Sequence, residues 1–149
     1  MRKCFICDID GTLANIEHRL HHIQKKPKDW DAFFAAAEND APIKHMTTLI
    51  SGMSLVYYVI FMSGRPERTR TATEDWLRKH GYKYDLSPMV LYMRGDGDRR
   101  DDSIVKYELL QKAKADGWEP VMAFDDRDRV VKMWRDNGIP CAQVAPGNF

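Results

Sequence analysis

Three features are scarce in this chain, and each scarcity excludes a class of protein. The longest unbroken apolar run, residues 55–62, has eight residues, whereas a membrane-spanning helix needs about 20. The three cysteines cannot all pair, which argues against a disulfide framework. Neither sign of charge dominates, because 23 Lys and Arg residues face 22 Asp and Glu residues. We therefore expect no membrane span, no disulfide scaffold and no binding of polyanions through bulk charge.

The beginning of the chain and its composition indicate one soluble domain. Only four apolar residues, 4–7, separate Lys3 from Asp8, which is too few for the apolar region of a signal peptide. Few cysteines and no secretion signal favour a reducing, cytoplasmic setting. A chain of 149 residues, of which 44% are hydrophobic and 30% charged, is typical of one globular domain, so we assign residues 1–149 to a single domain.

Short apolar runs without polar alternation predict buried strands of a parallel sheet. Helical patterns of about ten to fourteen residues lie between several of these runs, as in βαβ units. The alternation predicts an α/β fold, with a Rossmann-like parallel sheet of about five strands and helices on both faces. The predicted strands are 4–7, 55–62, 89–93, 121–124 and 141–144, and the predicted helices are 42–50, 67–80, 103–115 and 127–137.

The segment 14–41 breaks this alternation and predicts a small insertion or cap after the first strand. We consider a nucleic-acid contact with base stacking on the tryptophan, and a metal site at the histidines. We favour solvated histidines and lysines, with the aromatic side chains packed inward. The residues concerned are His18, His21, His22, Lys25, Lys26, Lys28, Trp30, Phe33 and Phe34.

Cys4 and Cys7 have the spacing of a redox or zinc-binding pair. On a strand, however, residues three apart point to opposite faces of the sheet. The pattern therefore predicts two buried thiols with a structural role.

Charged and hydroxyl side chains follow three of the predicted strands. In an open α/β sheet the binding crevice lies at the carboxyl ends of the strands, beside a topological switch point. We therefore expect these side chains to converge, and Lys106, on the helix after the third strand, to reach the same crevice. The set comprises Asp8 and Asp10 after the first strand, Ser63 and Arg65 after the second, and Asp125 and Asp126 after the fourth.

Such a group of side chains suits phosphoryl transfer. Clustered carboxylates repel one another unless a cation holds them, and hard oxygen ligands select Mg²⁺. One carboxylate can attack phosphorus to form an aspartyl-phosphate, while another two residues away exchanges protons with the leaving oxygen and with water. Lys106, Ser63 and Arg65 can neutralise or hold the phosphoryl oxygens. Gly11 permits a sharp turn toward the phosphate.

The motifs resemble those of the haloacid dehalogenase superfamily. Residues 8–13, Asp-Ile-Asp-Gly-Thr-Leu after an apolar strand, resemble the first motif, and Ser63-Gly64-Arg65, Lys106 and the pair 125–126 resemble the other three in order. The segments 97–106 and 125–149 are similar to the phosphatase half of phage polynucleotide kinase/3′-phosphatases. The resemblance covers most of the chain from Lys3 onward and is weakest over 14–41.

The resemblance implies a role for each matching residue. Asp8 would be the nucleophile and Asp10 the general acid and base, with its backbone carbonyl as a metal ligand. Ser63 and Lys106 would hold and neutralise the phosphoryl group. We expect Asp125 to be the direct side-chain ligand of Mg²⁺, with Asp126 as the alternate. The implied metal site is thus Asp8, Asp10, Asp125 and Asp126, and the implied substrate-binding residues are Thr12, Arg19, Gly64, Arg65 and Asp102.

The implied activity is that of a Mg²⁺-dependent phosphomonoesterase that removes 3′-phosphates from nucleic-acid ends. The chain has no Gly-x-x-x-x-Gly-Lys-[Ser/Thr] phosphate-binding loop, so 5′-phosphorylation would require a separate kinase, and a separate ligase is a second expected partner. The alternatives are a nucleotide phosphatase acting on small molecules and a non-catalytic phosphate-binding module. We expect a cytoplasmic location, in the host cell if a phage encodes the protein, and no preference between DNA and RNA is predicted.

Overall fold

The computed structural model describes residues 1–82 and 88–149. Its strands are β1 (Arg2–Cys7), β2 (Ala14–Asn15), β3 (Ala41–Pro42), β4 (Tyr58–Pro66), β5 (Val90–Arg94), β6 (Trp118–Asp125) and β7 (Cys141–Gln143). Five of these form a parallel sheet in the order β5–β4–β1–β6–β7. The chain therefore builds one side of β1 first and then crosses to the other side. This places a topological switch point beside β1, where α/β sheets bind ligands.

Helices cover both faces of the sheet, as predicted. Residues of α5 and α6, including Leu110 and Trp134, pack with Ile6 and Ile60 in one apolar cluster. The residues of α3 and α4 pack with Phe61 in a second cluster on the opposite face. The helices are α1 (His21–Gln24), α2 (Trp30–Ala35), α3 (Lys44–Met53), α4 (Arg70–Trp76), α5 (Asp102–Ala115) and α6 (Asp128–Asp136). Among the described residues, no helix combines the length and the apolar character that crossing a membrane requires.

The five-stranded sheet is confirmed, but most element boundaries differ from the prediction by a few residues, and two of the differences have a clear cause. Residues 55–57 belong to the turn after α3, and Val56 is 84% exposed. The apolar run was thus a poor guide to the start of β4. The predicted helix 67–80 contains a 3₁₀ turn (Glu67–Thr69), then α4, then a π-helical segment (Leu77–Gly81). A single hydrophobic periodicity does not distinguish these three windings.

The insertion is closed by a second, two-stranded sheet. β2 pairs antiparallel with β3, so the two ends of the insertion meet next to the turn that follows β1. Between them, the Asp29 side chain accepts a hydrogen bond from the backbone N–H of Ala32 and caps α2. Phe33 is buried, whereas Trp30 remains 45% exposed. The expectation that all the aromatic residues pack inward was therefore wrong for Trp30.

The prediction for the two N-terminal cysteines is confirmed. Cys4 lies in the apolar cluster under α5 and α6, and Cys7 lies in the cluster on the other face. Both are free thiols and both are buried. They therefore form part of the core on opposite faces of β1.

Candidate active site

Asp8 lies directly after the central strand and is held from three sides. Its backbone N–H donates to the carbonyl of Phe124 in the neighbouring strand at 3.0 Å. The Thr12 hydroxyl donates to Oδ2 at 2.9 Å, and Lys106 Nζ donates to Oδ1 at 2.7 Å. Gly11 forms the turn after it with φ +82°, and a Cβ there would lie 2.1 Å from Oδ2 of Asp126. The sharp turn after β1 thus brings Gly11 into contact with Asp126, which directly follows β6.

Lys106 links the nucleophile candidate to the end of β6. Its buried Nζ lies 2.7 Å from Asp8, 2.9 Å from Oδ2 of Asp125 and 3.8 Å from Oδ2 of Asp102. Burial by itself lowers the pKa of Lys106, but the carboxylates of Asp125 and Asp8 outweigh burial and hold it well above its ordinary value. The carboxylates around Lys106 therefore favour its charged form.

Three carboxylates at this edge of the sheet form a candidate metal site. Asp8, Asp125 and Asp126 each offer an oxygen, and these oxygens all lie within 4.8 Å of one another. Burial raises the pKa of both Asp8 and Asp126, and the charge of Asp125 raises both further. The pKa of Asp8 then lies well above its ordinary value, and that of Asp126 is about 6. The three groups thus repel one another as carboxylates. A divalent cation with oxygen ligands would relieve this repulsion, so the residues fit such an ion.

Four hydrogen-bond donors fix the side chain of Asp125 in place. Oδ1 accepts hydrogen bonds from the backbone N–H groups of Asp126 and Arg127, at 2.9 and 3.3 Å. Oδ2 accepts from Lys106 and, at 3.2 Å, from the Trp134 indole N–H. The side chain of Asp126 lies against the Gly11 turn instead. The choice of Asp125 over Asp126 as the direct ligand stays a prediction.

Asp10 points to two arginines rather than to the three carboxylates. Oδ1 accepts from Arg19 Nη2 at 2.8 Å and from Arg65 Nη2 and Nε at 2.5 and 3.0 Å. Burial raises the pKa of Asp10, but Arg65 and Arg19 outweigh burial and lower it to about 2. Asp10 is therefore a carboxylate in this structure. Its side chain keeps 23% of its surface exposed, so it remains open to the crevice.

A second acidic residue, Asp40, completes this buried network, and the sequence analysis missed it. Both oxygens of Asp40 accept from Arg19, Nε at 2.8 Å and Nη2 at 2.7 Å, and Arg65 Nη2 lies 3.3 Å away. The backbone carbonyl of Asp40 accepts from the Trp76 indole N–H at 2.9 Å. Asp40 thus neutralises part of the positive charge beneath Asp10. The one available signal was that a buried arginine in the insertion needs a carboxylate partner.

His18 belongs to the same network. Its Nε2 lies 2.6 Å from Oδ1 of Asp40, although 42% of the side chain is exposed. His18 is exposed, as expected of a solvated histidine face, and it also contacts Asp40. The ring covers the outer side of the ion-pair network.

On the opposite side of the crevice, the end of β4 packs closely against the start of α5. The buried Ser63 hydroxyl accepts a hydrogen bond from the Arg65 backbone N–H at 3.1 Å. A Cβ on Gly64 would lie 2.1 Å from Oδ1 of Asp102, so only glycine leaves room here. Arg94, also missed in the sequence analysis, joins the two by donating to the Gly64 carbonyl at 2.8 Å and to Asp102 at 3.0 Å.

The predicted site residues therefore come together at one edge of the sheet. The residues so placed are Asp8, Asp10, Thr12, Arg19, Ser63, Gly64, Arg65, Asp102, Lys106, Asp125 and Asp126. Arg19 and Arg65 are both buried, and the partners seen for their guanidinium groups are protein groups. Direct contact of either arginine with a substrate stays a prediction.

Comparison with known families matches residues 2–149 to the polynucleotide kinase PNKP phosphatase domain. The chain belongs to this family. It is a haloacid dehalogenase-type phosphatase domain, in agreement with the resemblance found in the motifs. This PNKP-type domain carries a cluster of buried aspartates that could hold a metal ion.

Three relatives place this PNKP-type domain in context. A protein of Autographa californica nuclear polyhedrosis virus, named "Putative bifunctional polynucleotide kinase/RNA ligase", is 28% identical over 140 residues, which are 93% of this chain and 18% of that protein. A chain in the structure of a Pnkp1/Rnl/Hen1 complex is 31% identical with a TM-score of 0.80, over 100% of this chain and 48% of that one. This chain thus spans less than half of either relative.

A third relative shares the fold at greater distance. The tungstate-bound class C acid phosphatase from Bacillus anthracis is 12% identical with a TM-score of 0.65, over 97% of this chain and 68% of that chain. At this identity the likeness concerns the fold alone.

Proposed function

We propose that this domain is a Mg²⁺-dependent phosphomonoesterase that removes 3′-phosphates from nucleic-acid ends through an aspartyl-phosphate on Asp8. The observation that carries the proposal is the arrangement around Asp8. A buried carboxylate after the central strand contacts one buried lysine, two further carboxylates lie beside it, and a partly exposed carboxylate stands two residues away. These are the groups that a two-step phosphoryl transfer requires.

In the first step, an oxygen of Asp8 attacks the phosphorus of the ester. The bond between phosphorus and the 3′-oxygen breaks as the new oxygen–phosphorus bond forms. Asp10, protonated at that moment, gives its proton to the leaving 3′-oxygen. A phosphate ester in the crevice adds negative charge beside Asp10 and competes for Arg19 and Arg65, and both effects favour the protonated form.

In the second step, water attacks the phosphorus of the aspartyl-phosphate. The Asp10 carboxylate accepts a proton from this water, the acyl-phosphate bond breaks, and Asp8 is restored as inorganic phosphate leaves. Lys106 and the Ser63 hydroxyl stabilise the phosphoryl oxygens during both transfers. Mg²⁺ held by Asp8, Asp125 and the Asp10 carbonyl, with Asp126 beside it, would supply charge neutralisation and orientation of the phosphoryl group.

The substrate and partners are inferred from relatives. The viral relative's name combines a polynucleotide kinase with an RNA ligase, and a solved relative is described as part of a Pnkp1/Rnl/Hen1 RNA repair complex. We infer that this domain works on nucleic-acid ends together with kinase and ligase activities supplied by other domains or chains. A 3′-hydroxyl is the product that a subsequent ligation needs.

Phosphate release tests the proposal directly. The substrates are 3′-phosphorylated oligonucleotides, 5′-phosphorylated oligonucleotides, and free 3′- and 5′-mononucleotides, assayed with EDTA or with Mg²⁺ and with Asp8→Asn as the blank. We expect Mg²⁺-dependent release, fastest from the 3′-phosphorylated strands. Faster turnover of mononucleotides would assign the domain to nucleotide metabolism, and release that survives Asp8→Asn would disprove the nucleophile assignment.

A further inference from the structure

The insertion presents an aromatic surface that the chemistry at Asp8 does not use. Trp30 and Phe34 lie with ring centroids 5.9 Å apart and planes inclined by 23°, and Phe33 packs edge-on beneath both, 5.6 Å from Trp30 and 5.3 Å from Phe34. We call Trp30 and Phe34 the aromatic platform. Phe33 is buried and anchors it, while Trp30 is nearly half exposed. Leaving a large indole in water forgoes burial energy, so its exposure calls for an explanation.

The platform is joined to the active site through the ring of Phe33. The Arg19 guanidinium lies over this ring, 4.2 Å from its centroid, and the same guanidinium holds Asp10 at 2.8 Å. Two ring contacts therefore connect the exposed indole to the residue proposed as general acid.

Arg68 fixes the platform to the rim of the crevice. Its backbone N–H donates to Asp96 after β5 at 2.9 Å, its guanidinium donates to Asp31 of α2 at 3.2 Å, and it lies 5.6 Å from the ring centroid of Phe34. Arg68 itself follows β4, whose carboxyl end carries the site. The platform is thus held at the same edge of the sheet as Asp8.

Three lysines lie on the turn that leads into the platform. Lys28 Nζ stands 5.7 Å from the ring centroid of Trp30, and Lys25 and Lys26 are exposed on the same turn. In the described part of the chain, no carboxylate lies within ion-pair distance of these three lysines. An aromatic face beside unpaired ammonium groups matches the two components of a single-stranded nucleic acid, a base to stack and phosphates to neutralise.

From these contacts we propose that the platform stacks a base of the single strand whose 3′-phosphate enters the active site, while Lys25, Lys26 and Lys28 neutralise its backbone. The proposal rests on the proposed function and specifies how that site recognises a polynucleotide rather than a mononucleotide. Stacking tolerates any base, because every base has a π-face. The platform therefore selects for a strand and not for a sequence.

The test compares two substrates in each variant of the whole chain. One is a 3′-phosphorylated oligonucleotide, in DNA and RNA versions, and the other is p-nitrophenyl phosphate, which has no base to place on the platform. We expect Trp30→Ala to lower the ratio of kcat/KM for the oligonucleotide to kcat/KM for the aryl phosphate by about tenfold. Trp30→Phe should retain most of the ratio. Tyr58→Ala removes a half-exposed aromatic from the amino end of β4 and should not change it.

A binding measurement separates this proposal from the proposed function. In an Asp8→Asn background, an oligonucleotide should quench the fluorescence of Trp30, since the other three tryptophans are buried, and Trp30→Phe should remove that quenching. An oligonucleotide with abasic sites next to its 3′-phosphate should bind Asp8→Asn and its Trp30→Ala form equally.

Three other results would refute the platform proposal, and the last of them would also refute the proposed function. If oligonucleotides are preferred but Trp30→Ala leaves the kcat/KM ratio unchanged, the platform is refuted and the proposed function stands. If Trp30→Phe loses as much as Trp30→Ala, stacking is refuted. If the wild-type domain hydrolyses p-nitrophenyl phosphate but no 3′-phosphorylated oligonucleotide, the proposed function fails and the platform proposal fails with it.

Discussion

Replacing Lys106 with methionine tests how much the buried positive charge of Lys106 stabilises the folded protein. Methionine keeps the length and apolar stem of the lysine but removes a buried cation that contacts Asp8 and Asp125 at 2.7 and 2.9 Å. Removing one partner of a buried ion pair costs about 3–5 kcal/mol, because the remaining charges stay buried without compensation. We therefore expect Lys106→Met to lower the free energy of unfolding by this amount in EDTA, measured by urea denaturation near pH 8.

A divalent cation should restore part of that loss. Lys106 and Mg²⁺ would neutralise the same carboxylates, so removing the lysine strengthens the attraction of Asp8 and Asp125 for the ion. Ligand binding to the folded state alone stabilises it by about 2.7 kcal/mol at 100 times Kd. The gap in unfolding free energy between wild type and Lys106→Met should thus be smaller in saturating Mg²⁺ than in EDTA. Activity should stay about 100-fold or more below wild type, because the phosphoryl oxygens lose their fixed cation.

Two results would refute this reasoning. A loss below 1 kcal/mol in EDTA would mean that the carboxylates lose little from standing unpaired. An equal gap in EDTA and in Mg²⁺ would mean that the ion does not bind at these carboxylates. Lys132→Met is the matched control, since Lys132 is exposed and forms a surface ion pair with Asp136, and such a pair is worth about 0–1 kcal/mol.

Three further changes probe other parts of the molecule. Asp40→Asn should lower kcat for p-nitrophenyl phosphate about 100-fold by releasing Arg19 and Arg65 from their positions under Asp10; wild-type kcat would contradict the role of Asp40. Gly147→Ala should raise the Mg²⁺ concentration for half-maximal activity about tenfold, because the new Cβ would lie 1.7 Å from the Asp126 carbonyl; an unchanged titration would show that this contact is not needed. Burial raises the pKa of Tyr92, and the hydrogen bond to Asp116 raises it further. The neutral tyrosine therefore stabilises the fold fully below about pH 10, and this contribution is lost as the pH rises further. Tyr92→Phe should flatten the fall of the unfolding free energy above about pH 10, and an unaltered slope would contradict this role of Tyr92.

The sheet was predictable because its strands are buried on both faces. A strand in that position tolerates few polar residues, so β1 and β5 stand out as apolar runs that stop at Asp8 and Arg94. The start of β4 was not predictable in this way. Leu55 and Val56 extend the apolar run, yet they lie in an exposed turn. Hydrophobicity alone does not distinguish an apolar residue in a buried strand from one in an exposed turn.

The residues of the candidate site also differ in how well the sequence predicts their positions. Asp8 follows β1, while Ser63 and Asp125 lie near the carboxyl ends of β4 and β6, so the position of each strand end also fixes the position of a functional group. Arg19 lies in the insertion, where no periodic pattern exists, and the family resemblance alone pointed to it. Asp40 had neither signal, because it stands among the polar residues before β3, and only the closure of the insertion by β2 and β3 brings it to Arg19.

The buried ion-pair network explains why the insertion must fold as one piece with the sheet. Arg19 and Asp40 come from the two ends of the insertion, while Asp10 comes from the turn after β1 and Arg65 from the carboxyl end of β4. Each arginine contacts both carboxylates, so removing any one member leaves the buried network with an unbalanced charge. The insertion therefore helps to position Asp10 at the candidate site, since Arg19 joins Asp10 to Asp40, a residue 30 positions further along the chain.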